Sequence, residues 1–211
     1  FNHISTFYID KYWRKRFIAK LKLKNNLKVL DVATGTGDII INIGKKYTIQ
    51  GIGLDNASKM LEIARKKAKR ENLSNIEFIQ GDAENLPIDD DSIDLITISF
   101  GIRNFEDYKK ALTEFERVLK PNGELAILEF LKHRDTIFRR LFSLYFNHII
   151  PLIGRLITGK KIFKYLPESV QSFLSPDELK TVMGKVGFGN FYVKHFSLKI
   201  CSIILCKKLP K

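Results

Sequence analysis

From Lys28 to Leu131 short apolar runs alternate with segments of helical period, and this alternation narrows the available folds more than any other feature. The runs Lys28–Ala33, Ile49–Asp55, Ile76–Gln80, Ile93–Phe100 and Glu124–Leu131 read as strands. Between them Asp38–Tyr47 reads as a helix, and Ser58 caps a second one carrying Met60, Leu61, Ala64 and Ala68 on one face. Asp107–Leu119 is a third helix, stopped by the turn sequence Pro121-Asn122-Gly123. Such alternation implies right-handed parallel crossovers, with helices covering both faces of one sheet. The end of the chain departs from this pattern. After a helix at Pro176–Val186, the β-rich runs Phe188–Phe196 and Lys199–Cys206 are separated only by Ser197-Leu198. A parallel partner needs a crossover of about a dozen residues, so these two strands pair antiparallel.

At 211 residues, 45% hydrophobic and 28% charged, the chain is sized for one domain with a real core, and disorder is excluded. Its charge is unevenly spread: +7 over residues 1–28, −5 over 29–131 and +11 over 132–211. Basic ends around an acidic middle point to an anionic partner, either nucleic acid or a membrane surface. The two cysteines, Cys201 and Cys206, match no zinc or redox spacing and fall on opposite faces of a strand. His3, His133, His148 and His195 lie too far apart for a local ligand set, so no metal is expected. No apolar stretch reaches the ~18 residues of a membrane span. The chain opens at Phe1 without an initiator Met, and its start lacks the features of a signal peptide. The cytoplasm is the expected compartment.

Asp31-Val-Ala-Thr-Gly-Thr-Gly37 follows the first strand and opens the first helix. Gly35 and Gly37 permit a tight turn and close approach of a ligand to the backbone. Asp55 ends the second strand 20 residues after Gly35, where a carboxylate can accept from both ribose hydroxyls of a nucleotide. A dinucleotide fingerprint wants a third glycine three residues after Gly37, but that position is Ile40, which argues against a pyrophosphate. S-adenosylmethionine has none. Asp82, in Gly81-Asp82-Ala83 after the third strand, suits the exocyclic amine of adenine, and Ser99 closes the fourth strand at the same sheet edge. Asp31 or Asp82 alone would read as a turn cap. Four such turns converging on one edge read as an adenosylmethionine site.

A parallel α/β sheet finished by an antiparallel hairpin resembles the class I methyltransferase fold, Rossmann-like with a seven-stranded, mostly parallel sheet. More specifically, the chain resembles the demethylmenaquinone and ubiquinone-pathway C-methyltransferase family. The stretches that carry this are Asp31–Asp38, Gly81–Pro87, Thr97–Asn104 with its Gly-x-Arg-Asn ending, Arg117–Pro121, Leu128–Phe130, His148–Pro151 followed by Gly154, and Tyr165–Ser169. Thr34 stands in place of a usual glycine and Asp82 where the family often has Asn. The family's Tyr-Asp pair, which precedes the Asn2-His3 region, is not in this chain. The resemblance implies Thr36, Asp55, Asp82, Ala83 and Ser99 as cofactor contacts and a reduced polyprenyl quinone as acceptor, methylated on a ring carbon. The single domain then divides into an N-terminal substrate-side segment (1–27), a cofactor-binding core (28–131), a helical lid insertion (132–175) and a C-terminal helix with hairpin (176–211).

Methylation of a ring carbon requires an electron-rich ring, as in the phenolate of a hydroquinone. Arg103 stays protonated and is read as stabilising that charge, while Asn104 holds a water that carries the proton away. The bland alternative for Arg103 is a loop cap in a surface salt bridge. His148 is a further acid–base candidate, and Glu129 a candidate for orienting substrate. Phe138–Ile157 is apolar over a wide arc with Arg139, Arg140 and Arg155 interspersed, the pattern of a core helix pair or of a lid for an isoprenoid tail. Expected partners are a lipid-soluble quinol, an anionic membrane surface reached from its inner face, and a second copy of the chain. Nucleic acid ranks low, because the Asn/Asp-Pro-Pro-aromatic motif of exocyclic-amine methylation and a catalytic cysteine near the fifth strand are both missing. A methyltransferase for RNA or for another phenol or sterol, and a non-catalytic adenosylmethionine-binding subunit, stand as the alternatives.

Overall fold

A computed structural model describes residues 9–132, 169–170, 172–197 and 199–210. Its elements are α1 (Ile9–Ile18), β1 (Leu27–Val32), α2 (Asp38–Gly44), β2 (Ile49–Asp55), α3 (Ser58–Arg70), β3 (Ile76–Gln80), β4 (Ile93–Ser99), α4 (Tyr108–Val118), β5 (Leu119–Glu129), α5 (Pro176–Val186), β6 (Phe188–Phe196) and β7 (Cys201–Lys208). The strands form one seven-stranded sheet in the order β3-β2-β1-β4-β5-β7-β6. Neighbours from β3 to β5 pair parallel, and β7 runs antiparallel to both β5 and β6. This is the α/β class I methyltransferase fold.

The two sheet faces bury two separate cores. One collects Ile39, Ile40, Leu61 and Ala64 from α2 and α3, and the other Leu112, Phe115, Leu179 and Met183 from α4 and α5. α3, α4 and α5 carry their apolar residues at helical spacing and so have one stripe to bury, whereas α2 buries Ile39, Ile40, Ile41 and Ile43 together. Cys201 belongs to the first core and Cys206 to the second, both as free thiols. Burial pushes both thiols up and keeps them protonated.

The structure extends and shifts some boundaries. α1 is an added helix whose Trp13 and Phe17 are fully buried in the first core. Ser58 does not cap α3: the N-cap is Ala57, whose N–H donates to Asp55 Oδ1 at 2.9 Å. Asp107 does cap α4, accepting from the N–H groups of Lys109 and Lys110. Ser175 and Glu178 close a capping box on α5. Pro121-Asn122-Gly123 lies inside β5 as an irregularity, because Leu119 already pairs with Ile93 before the main register resumes at Glu124. β7 runs through Lys207 and Lys208, past the expected end at Cys206. Lys208 tolerates burial there because its ammonium donates to Asp91 Oδ1 at 2.7 Å and to the Leu119 carbonyl at 2.9 Å.

Candidate functional site

The carboxyl ends of β1, β2, β3 and β4 open into a cleft of about 670 Å³. A loop follows each strand, and short hydrogen bonds tie the loops together. Beneath the cleft Asp31 is buried, accepting hydrogen bonds from the Thr34 and Thr97 hydroxyls at 2.6 Å each. Burial raises its pKa from 3.8 to about 6, against the pull of those two hydroxyls. Asp31 therefore anchors the first loop from below and does not line the cleft.

Above it, Gly35 adopts φ +56° and its N–H donates to Asp55 Oδ2 at 2.7 Å. With Ala57 holding the other oxygen, the Asp55 carboxylate is clamped by two backbone donors. Each carboxylate oxygen accepts more than one hydrogen bond, so Asp55 keeps capacity for ligand hydroxyls. Gly37 serves packing instead: a Cβ there would meet Ile41, Phe78 and Ala64 within 3.2 Å. Thr36 Oγ1 accepts from Lys67 Nζ at 2.8 Å, and the same ammonium pairs with Asp38 at 2.7 Å. After β3, Asp82 is exposed and turns its chain by accepting from the Glu84 N–H at 2.9 Å, while Ala83 is buried against the second core.

β4 ends in Ser99, whose buried hydroxyl has no hydrogen-bond partner among the described residues. A buried hydroxyl without a partner is unfavourable, and Ser99 is one of the residues at the cleft. Phe100 then takes φ +59°, and Gly101 passes so close to the first loop that a Cβ would lie 2.5 Å from that of Ala33. The tight turn Ile102–Asn104 follows. It sends its two polar residues in different directions: Asn104 lines the cleft and Arg103 does not. The Arg103 side chain is 4% exposed and its Nε stands 3.2 Å from Oε1 of the fully buried Glu129. Among the described residues its Nε and Nη1 make no hydrogen bond, nor does Glu129 Oε2. Burial raises the Glu129 pKa and the adjacent guanidinium opposes that rise. The surface salt bridge considered for Arg103 is thus a buried pair.

Of the residues singled out in the sequence, Gly35, Thr36, Asp55 and Asp82 line the cleft with Ala83, Ser99 and Asn104. His148 and the Phe138–Ile157 stretch lie outside the described residues. Arg14 of α1 also lines the cleft, as do Phe100, Phe105 and Glu106. Nothing in the local pattern around Arg14 marks it as a site residue, because it is brought there by the burial of Trp13 and Phe17. Among the described residues no group of His, Cys, Asp and Glu is placed to hold a metal ion. The open space above Gly35, the clamped Asp55 carboxylate, the exposed Asp82 carboxylate and the unpartnered Ser99 hydroxyl fit S-adenosylmethionine in donor and acceptor chemistry.

The model of the ubiE/COQ5 methyltransferase family matches residues 1–208. A demethylmenaquinone methyltransferase of Thermotoga maritima is 43% identical over 190 residues, which are 89% of this chain and 81% of that protein. The ubiquinone/menaquinone biosynthesis C-methyltransferase UbiE of Geotalea daltonii is 38% identical over 98% of this chain and 89% of its own. Among solved structures, a SAM-dependent methyltransferase of Thermotoga maritima superposes with a TM-score of 0.69 at 22% identity, covering 98% of this chain and 92% of its own.

Proposed function

The chain belongs to the ubiE/COQ5 methyltransferase family, and from that premise we propose that it methylates a ring carbon of a reduced polyprenyl quinone, with demethylmenaquinol the foremost acceptor. The donor is S-adenosylmethionine, which supplies an electrophilic methyl group on a sulfonium. The observation that carries the reading is the two-sided cleft: Asp55 and Asp82 offer acceptors to a nucleoside, while Ser99, Phe100, Asn104 and Phe105 form a mixed aromatic and amide wall at the end of β4. A flat, apolar quinol ring suits that wall. The related proteins of Thermotoga maritima and Geotalea daltonii, named for menaquinone and ubiquinone biosynthesis, favour the same class of acceptor.

The chain's own contribution is to bind the ring and to manage one proton. Loss of a ring hydroxyl proton makes the ortho carbon nucleophilic, and methylation there releases the proton that carbon carried. Asn104 holds the ring hydroxyl, or the water that accepts its proton, from the cleft wall. Arg103 acts from behind the wall, as a permanent cation whose field favours the phenolate over the phenol. Glu129 holds Arg103 in place and tempers its charge. His148 remains a second candidate for the proton.

The quinol reaches the cleft from a membrane surface on this reading. On and after α1, Lys11, Lys15, Arg16, Lys20, Lys22 and Lys24 are all exposed, and Tyr12 beside them is 53% exposed. A basic face with an aromatic at its centre suits anionic headgroups. No helix among the described residues is long and apolar enough to cross a membrane.

Incubation with methyl-labelled S-adenosylmethionine and either reduced demethylmenaquinone or RNA tests the proposal. Label should enter the quinol, and label found only in RNA would overturn it. Sedimentation with anionic liposomes, reversed by salt, is the expected outcome for the membrane contact, and no lipid-dependent binding at low salt would refute it.

A further inference from the structure

The cleft is strongly acidic. Asp38, Asp55, Asp82, Glu84 and Glu106 line it, and among the described residues Arg14 is the only lysine or arginine that does. Lys67, which reaches the first loop, is already shared between Thr36 Oγ1 and Asp38. S-adenosylmethionine carries two positive centres, its sulfonium and its ammonium, and one negative centre, its carboxylate. A ring of carboxylates favours the two cations and opposes the carboxylate. That one group needs a cation of its own.

Arg14 is placed and prepared to be that cation. Its guanidinium carbon lies 5.4 Å from the centroid of Phe100, and its Nε is 3.6 Å from the buried Asp10 carboxylate. That Nε is buried and makes no hydrogen bond among the described residues. The side chain is 14% exposed, so few of its rotamers remain open. Trp13 and Phe17, sunk in the core on either side, fix the helix that carries it. An arginine stacked on a ring presents its planar fork with little further ordering, the geometry suited to a bidentate carboxylate.

The sheet order places it at the right end. Asp55 and Asp82 lie at or just past the ends of β2 and β3, on one side of the cleft, whereas Ala33, Ser99 and Phe100 lie at or just past the ends of β1 and β4, on the other. With the nucleoside at the former, the amino-acid end falls at the latter, beside Arg14. Resting on the donor assignment made above, we infer that Arg14 binds the carboxylate of the donor's amino-acid end. It is a binding residue for the donor, with no part in acceptor recognition.

Calorimetric titration with S-adenosylmethionine and with decarboxylated S-adenosylmethionine tests this without turnover. The wild-type protein should prefer the carboxylated compound by about tenfold or more, the usual worth of a charge-assisted pair in a partly buried site. Arg14→Met keeps an apolar stem over Phe100 and should lose that preference, and Arg14→Lys should regain part of it. A wild-type protein that binds the decarboxylated compound as well or better overturns the inference, even if Arg14→Met fails to fold once Asp10 loses its ion partner. So does an Arg14→Met protein that keeps the preference, or one in which only the quinol KM rises. If the wild type binds neither compound, the donor assignment itself falls and the inference with it. Binding of both compounds alike removes the inference alone.

Discussion

The carboxyl of Asp31 sits where β1 passes into the first loop, 1% exposed, with both oxygens taken by threonine hydroxyls. Burial is the largest influence on it, lifting its pKa from 3.8 to about 6, while Thr34, Thr97 and Arg14 pull it down and Asp38 pushes it up. The folded protein thus holds this proton more tightly than the unfolded chain does. The stability contributed is full below pH 3.8 and is lost as pH rises through about 6. Each tenfold change in proton affinity is worth about 1.4 kcal/mol, so the whole loss is about 3 kcal/mol. Nearly half of that, on the order of 1–2 kcal/mol, falls between pH 5 and pH 7.5 by the same relation. Asp31→Asn has no proton to release there, and its amide still offers one acceptor and one donor to the two rotatable hydroxyls. Urea unfolding of both proteins at pH 5 and pH 7.5 measures the difference. On going to the higher pH, the wild type should lose roughly 1–2 kcal/mol more than Asp31→Asn. Two proteins whose unfolding free energies move in parallel would refute the reasoning, because Asp31 would then titrate at its ordinary value inside the fold.

Ser99→Ala removes a buried hydroxyl that has no protein partner, so stability should stay within ~0.5 kcal/mol while the Kd for S-adenosylmethionine rises several-fold. Loss of stability with unchanged donor affinity, by urea unfolding and calorimetry, would assign that hydroxyl to the fold and not to the ligand. Arg103→Met leaves Glu129 buried without its cation and should cost roughly 3–5 kcal/mol, whereas the double variant Arg103→Met/Glu129→Leu should recover most of it. A silent single variant, or a double variant as unstable as the single, would count against a buried pair. If the double variant folds like wild type yet fails to methylate, the pair serves the reaction as well as the fold.

Much of the fold was legible because its signals are local. β2, β3, β6 and α5 have the boundaries that periodicity and turn chemistry indicate. The link before β7, read as two residues, is the four residues 197–200, still far too short for a parallel crossover, and the pairing is antiparallel as expected. Errors fell where distant partners overrode local cues. The lysines at the end of β7 read as the end of a strand, yet Asp91 and Leu119, far away in sequence, make Lys208 a strand residue. Pro121-Asn122-Gly123 reads as a break between elements, and the buried pairing of Leu119 with Ile93 turns it into an interruption within one.

For the site the division is similar. Residue types and spacing alone pointed to one sheet edge as the candidate nucleoside site, since glycines, strand-end carboxylates and the Gly-x-Arg-Asn stretch each impose their chemistry within a few residues. Tertiary structure decided what each of them faces. Asp55 lines the cleft and Asp31 and Gly37 do not. Arg103 turns inward to Glu129 while its neighbour Asn104 looks into the cleft. Arg14 arrives from a helix that no motif marks. Direction and burial depend on which surfaces the packed elements bring together, and that information is held in contacts between residues far apart in the chain.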